Sequence, residues 1–111
     1  MEEMRDAERI IDRILLLEGH PNLQRLDAVR SGDTAKEMIE IALECEEAAI
    51  TRLKSAVETA AAAHDHGTRD LLAEMLAEEE GHADYFRAQL TSIKLVGLEN
   101  YLASQLHGAT E

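Results

Sequence analysis

The sequence is poor in cysteine, proline and basic residues, and each shortage excludes a class of protein. A single cysteine, Cys45, rules out a framework of intramolecular disulfides and is typical of a protein in the reducing cytoplasm. The 11 Lys and Arg against 23 Asp and Glu give a net charge of −12 at pH 7. This charge argues against nucleic acids and anionic membranes as partners and favours cations. No apolar run approaches the roughly 20 residues that span a bilayer, and the acidic start argues against a signal peptide.

The composition predicts an all-α fold, because Ala, Leu and Glu are abundant and β-branched runs are few. The length of 111 residues suits one domain, which we expect to span residues 1–111. Apolar residues at helical spacing predict four helices. They run from the start to about Leu17, from Asp33 to about Ala63, from Thr68 to about Val96, and from Leu98 to about Leu106.

Short polar residues and proline mark the ends of these helices. The connection from Pro21 to Gly32 is long for a simple hairpin, so we expect it to cross a bundle. Thr68 is expected to cap the third helix, and one of three residues to cap the second: Ser31, Asp33 or Thr34. Three long amphipathic helices do not close a four-helix bundle. The pattern therefore indicates that a preceding helix is absent and that its place is an open apolar groove.

Polar residues interrupt the apolar face of the third helix. The apolar stripe that contains Met75 continues through Glu79 and His82, which lie three residues apart and project from the same side. Burying an unpaired carboxylate costs several kcal/mol, so such a residue needs a cation, a donor or a metal. Glu-x-x-His turned into a helical bundle is the ligand unit of di-iron carboxylate proteins. Taken alone, the same motif is more often a surface ion cluster on an acidic helix.

The first two helices place acidic residues in equivalent positions. The apolar stripe of the second helix passes through Glu46, and that of the first, extended backward, includes Glu3 and is flanked by Asp6. Glu3-x-x-Asp6 repeats the spacing of Glu79-x-x-His82. Because Asp and Glu are almost never fully buried unless paired, we interpret these five residues as metal ligands. Carboxylates with imidazole, and no cluster of cysteines, suit iron or manganese better than a closed zinc site.

Several motifs resemble bacterioferritins, which belong to the ferritin-like superfamily. Glu3-Met4, Arg13–Gly19 and Pro21–Gln24 resemble their second helix and crossover loop, Arg69-Asp70 and Glu78–His82 their fourth helix, and Gly97–Leu102 their short fifth helix. The resemblance covers nearly the whole chain and lacks the family's first helix. It implies a ferritin-like four-helix-bundle architecture, N-terminally truncated so that the first long helix is absent, with a short C-terminal helix.

The resemblance implies a cytoplasmic iron-storage subunit that oxidises Fe(II) to Fe(III) at a di-iron centre and stores iron in a cage of 24 subunits. Carried over by position, Glu3 and Glu79 bridge the irons, while His82 and Glu46 are terminal ligands. These four are the predicted catalytic residues. Asp6 stands where the family has a second His. The chain is then a ferroxidase if the remaining ligand is supplied. The shorter, more anionic Asp6 is expected to favour Fe(III) and to slow redox cycling.

Met4 matches the methionine that ligates haem b between two subunits of this family. A thioether is a good ligand for haem iron, although spacing alone favours a core or interface methionine. The chain is expected to form a homo-oligomer or to assemble with other bacterioferritin subunits. Two alternatives remain open: a catalytically impaired haem-binding or structural subunit, and a fragment that needs a partner chain to complete the bundle.

Overall fold

The computed structural model describes residues 2–22 and 32–109, and within these ranges it contains helices and no strand. The helices are α1 (Glu2–Leu16), α2 (Ala35–Ala62), α3 (His66–Val96) and α4 (Leu98–Ala109). The predicted all-α fold is confirmed. The expected crossover connection falls largely on residues 23–31, which lie outside the described residues, as does the candidate cap Ser31.

Side-chain caps fix the starts of the two long helices. Thr34 caps α2, since its hydroxyl accepts a hydrogen bond from the Glu37 backbone N–H at 3.1 Å. The prediction that Thr68 caps α3 is wrong, because Asp65 does so and α3 begins at His66. The Asp65 carboxylate accepts a hydrogen bond from the Thr68 backbone N–H at 3.2 Å, which places Thr68 inside the first turn.

The core lies where α2 packs along α3 and where α4 folds back against α3. Its buried apolar residues are Ala60, Met75, Ala83, Ile93 and Tyr101. Gly97 makes the bend between α3 and α4, with a φ of 85° that side-chain-bearing residues rarely adopt. The Tyr101 hydroxyl then donates a hydrogen bond to Gln89 Oε1 at 2.7 Å and ties α4 to α3. Among the described residues, no helix is long and apolar enough to cross a membrane.

Two arginines of α1 attach this helix to α3. Arg9 Nη2 lies 2.7 Å from Glu74 Oε2. One turn later, Arg13 donates hydrogen bonds to Thr68 Oγ1 at 2.9 Å and to Asp65 Oδ1 at 3.0 Å. A Cβ at Gly67 would meet the Arg13 guanidinium, so a larger residue at this position would displace that side chain.

The Tyr101–Gln89 hydrogen bond predicts the effect of removing a single hydroxyl. Tyr101 is 7% exposed, so Tyr101→Phe leaves Gln89 without its partner while keeping the ring in place. We expect the free energy of unfolding to fall by about 1 kcal/mol, the usual net value of such a hydrogen bond. Urea denaturation measures it. The matched control is Tyr85→Phe, because Tyr85 is 59% exposed; an equal loss in both variants would contradict the prediction.

Candidate metal centre

Three side chains from two helices converge between α2 and α3. One ligand atom each of Glu46, Glu79 and His82 lies within 4.8 Å of the other two. His82 Nδ1 is 3.6 Å from Glu79 Oε2 and 3.9 Å from Glu46 Oε2. Within residues 2–22 and 32–109, no other three His, Cys, Asp or Glu side chains meet this closely. We call these three residues the acidic cluster.

Packing of the long helices positions the acidic cluster. Glu79 and His82 stand one turn apart on α3, between the buried residues Met75 and Ala83. Glu46 faces them from α2. The side chains of Glu46 and Glu79 are 13% and 14% exposed, against 33% for His82. The polar residues on the two apolar stripes therefore point toward each other, as the sequence predicts, and their role as ligands stays a prediction.

The acidic cluster is short of positive charge. Glu46 Oε2 is buried and accepts no hydrogen bond from the described residues, and leaving a buried acceptor unsatisfied costs about 1–3 kcal/mol, more when it is charged. Burial raises the pKa of Glu79, and the negative charges of Glu3 and Asp6 add to this effect, while His82 opposes it. A cation bound here would satisfy the Glu46 oxygen and relieve the repulsion, so the donor set fits a metal ion.

The other two predicted ligands border the same space without joining the acidic cluster. Glu3 and Asp6 of α1 line a groove of about 500 Å³ together with Glu46 and Glu79. Glu3 is exposed. The Asp6 carboxylate instead lies 3.5 Å from Arg9 Nη1. The remaining walls of the groove are mostly apolar, formed by Ala7, Ile10, Ala49, Leu53, Leu72 and Met75, among others.

Three further residues lie at or near the groove or are exposed on α1. Met4 is 67% exposed and does not line the groove, so it is not a core residue of this chain. Cys45, which helical spacing turns away from Glu46, is exposed and borders the groove. The sequence pattern did not lead us to predict the ion pair of Arg9 with Asp6. Its position three residues after Asp6, on the same helix face, could have indicated this pair.

The raised pKa of Glu79 predicts that Glu79→Gln stabilises the metal-free protein. The unfolded carboxyl has a pKa near 4.5 and the folded one a higher value, so its ionisation opposes folding progressively as pH rises through this interval. The variant should therefore gain thermal stability over the parent at about pH 7 and gain little at about pH 4. Thermal denaturation in the presence of a chelator measures both.

The matched control is Glu80→Gln, a change of the next residue on α3, whose side chain is exposed. It should leave the melting temperature nearly unchanged at both pH values. If Glu79→Gln destabilised the metal-free protein at neutral pH, the assigned electrostatic cost of Glu79 would be wrong.

Comparison with known proteins identifies the family. The Ferritin-like domain family matches residues 1–96. The bacterioferritin of Streptomyces coelicolor is 44% identical over 103 residues, covering 93% of this chain and 62% of that protein. That of Mycobacterium avium is 43% identical, covering 92% and 64%. The bacterial ferritin of Synechocystis is 41% identical, covering 95% and 68%. The chain thus spans 62–68% of the length of these relatives. It belongs to the ferritin-like domain family and is a homologue of the bacterioferritins.

Proposed function

We propose that this chain is an iron-storage subunit that takes up Fe(II) at the acidic cluster and oxidises it to Fe(III). Bacterioferritins among its relatives support iron as the substrate. The convergence of Glu46, Glu79 and His82 carries the proposal, since two carboxylates and an imidazole suit iron. The proposal includes a single ferritin-like domain over residues 1–111, a cytoplasmic location, and assembly with copies of itself or other bacterioferritin subunits into a cage.

Each residue of the proposed site has a distinct task. Glu79 belongs to the acidic cluster and also lines the groove beside Glu3 and Asp6, so its two carboxylate oxygens would serve an iron ion on each side. Glu46 and His82 bind the first iron, and Glu3 and Asp6 contribute to the second. The anionic oxygens stabilise the added charge of Fe(III) relative to Fe(II), while the electron passes to dioxygen or to peroxide.

Asp6 changes the balance between substrate and product. A neutral imidazole in its place would leave the second iron with one negative charge less. The aspartate therefore retains Fe(III) more strongly and slows its departure, so we propose a site that oxidises iron more readily than it returns it to the ferrous state.

Glu46→Gln tests the proposal at the residue whose buried oxygen is left without a hydrogen bond. The amide keeps the size of the side chain and removes the charged ligand. We expect the affinity for Fe(II), titrated without oxygen, to fall by at least about ten-fold, the scale on which metal-site residues act. Formation of Fe(III) after mixing with oxygen, followed by absorbance, should slow in parallel.

The control is Glu58→Gln, an equal change at an exposed position of the same helix. It should bind and oxidise iron as the parent does. Equal behaviour of the two variants would show that iron chemistry, if present, does not use the acidic cluster, and the proposed function would be wrong.

A haem-binding role is the second candidate, favoured by the exposed thioether of Met4. A thioether at the surface of α1 is accessible to haem iron, and as its ligand it would raise the reduction potential. On this proposal, the parent chain reconstituted with haem b shows a methionine-ligated absorbance spectrum and Met4→Ala does not. Met38→Ala, at another exposed methionine, is the control. An unchanged spectrum in Met4→Ala would rule out this ligand.

A further inference from the structure

Asp6 borders the groove but pairs with a residue that does not line it. It lines the groove with Glu79, and its side chain is only 15% exposed. Its carboxylate nevertheless lies beside the Arg9 guanidinium, at 3.5 Å, and outside the acidic cluster. Arg9 in turn is fixed by Glu74 of α3, at the shorter distance of 2.7 Å. The guanidinium therefore lies between one predicted ligand and a carboxylate of another helix.

We propose that Arg9 is a positioning residue that holds Asp6 away from the acidic cluster, so that the two cation positions fill in order. This inference rests on the proposed function. The first cation binds Glu46, Glu79 and His82, which already converge. The second binds only as Asp6 exchanges Arg9 for the cation.

The charges around Asp6 explain why Arg9 holds it in the metal-free chain. The groove side of Asp6 presents Glu3 and Glu79, and after burial it is the negative charges of Glu3 and Asp6 that raise the pKa of Glu79. Turning a further carboxylate toward them without a cation costs Coulomb energy. Arg9 offers the opposite charge on the same helix face, three residues away.

The same geometry keeps the free energy needed to separate Asp6 from Arg9 small. The Asp6–Arg9 contact is long and Arg9 is 31% exposed, which are the properties of a weak ion pair. When Asp6 leaves, Arg9 keeps its short contact with Glu74 and its charge stays paired. A cation therefore competes with one weak contact, and the second site is weakened without being abolished.

The test is a calorimetric titration of oxygen-free Fe(II) into the parent chain and Arg9→Gln. We expect the variant to bind the second cation about two- to five-fold more tightly, the factor that an exposed ion pair is worth, with a smaller change for the first. Arg13→Gln is the matched control, because it removes the same charge from the same helix but its partners are Asp65 and Thr68. It should leave the ratio of the two affinities unchanged.

A double variant separates competition for Asp6 from a general loss of positive charge. When Asp6→Asn is combined with Arg9→Gln, the gain at the second position should disappear. If Arg9 only attached α1 to α3, Arg9→Gln would weaken the second cation, and that result would overturn the inference. Equal tightening of both positions would also overturn it and leave the proposed function standing. A single position in parent and variant alike would overturn it together with the second iron, and would leave only iron uptake at the acidic cluster standing. Absence of any Glu46-dependent site would remove both proposals.

Discussion

The structure depends on holding two carboxylates with little compensating charge between packed helices. Glu46 and Glu79 occupy positions that the spacing of α2 and α3 turns inward, where apolar residues would normally lie. The free energy for this placement comes from the apolar contacts around Met75, Ala83 and the rest of the α2–α3 interface. His82 supplies the nearest imidazole. On the proposed function, the fold therefore forms its cation site before any cation binds, and this arrangement lowers the stability of the metal-free chain.

The two parts of the proposed site are held in different ways, one by the packing of two long helices and the other by a helix that is attached through ion pairs. The acidic cluster belongs to α2 and α3, which pack along each other. Glu3 and Asp6 belong to α1, whose links to α3 include the ion pairs of Arg9 and Arg13. Salt screens such partly exposed pairs. We therefore expect ionic strength to affect the attachment of the proposed α1 residues more than the packing of α2 along α3.

Helical periodicity was sufficient to predict the two long helices and the inward direction of Glu46, Glu79 and His82. A polar residue in an apolar stripe carries this information, because the stripe faces the core whatever its members are. The cap of α3 was mispredicted, since Thr68 and Asp65 are both good capping residues and only the backbone decides between them.

The helical periodicity of the sequence did not predict the contacts between helices. Asp6 has the spacing of a ligand, yet the structure places it beside Arg9, whose position is set by Glu74 sixty-five residues away in the chain. Cys45 borders the groove because α1 lies nearby, and nothing in the period of α2 indicates that. Single-helix patterns predict which face a residue occupies, but they do not predict which of two neighbours it pairs with.

The Asp65 carboxylate accepts hydrogen bonds from two helices. It accepts the hydrogen bond that starts α3 and also receives Arg13 of α1, and the hydrogen bonds from Thr68, helped by Arg13, lower its pKa. Fraying of the first turn of α3 and departure of α1 are consequently linked steps, each making the other easier. We therefore expect α1 and the start of α3 to unfold as a single cooperative unit, although the chain places more than fifty residues between Arg13 and Asp65.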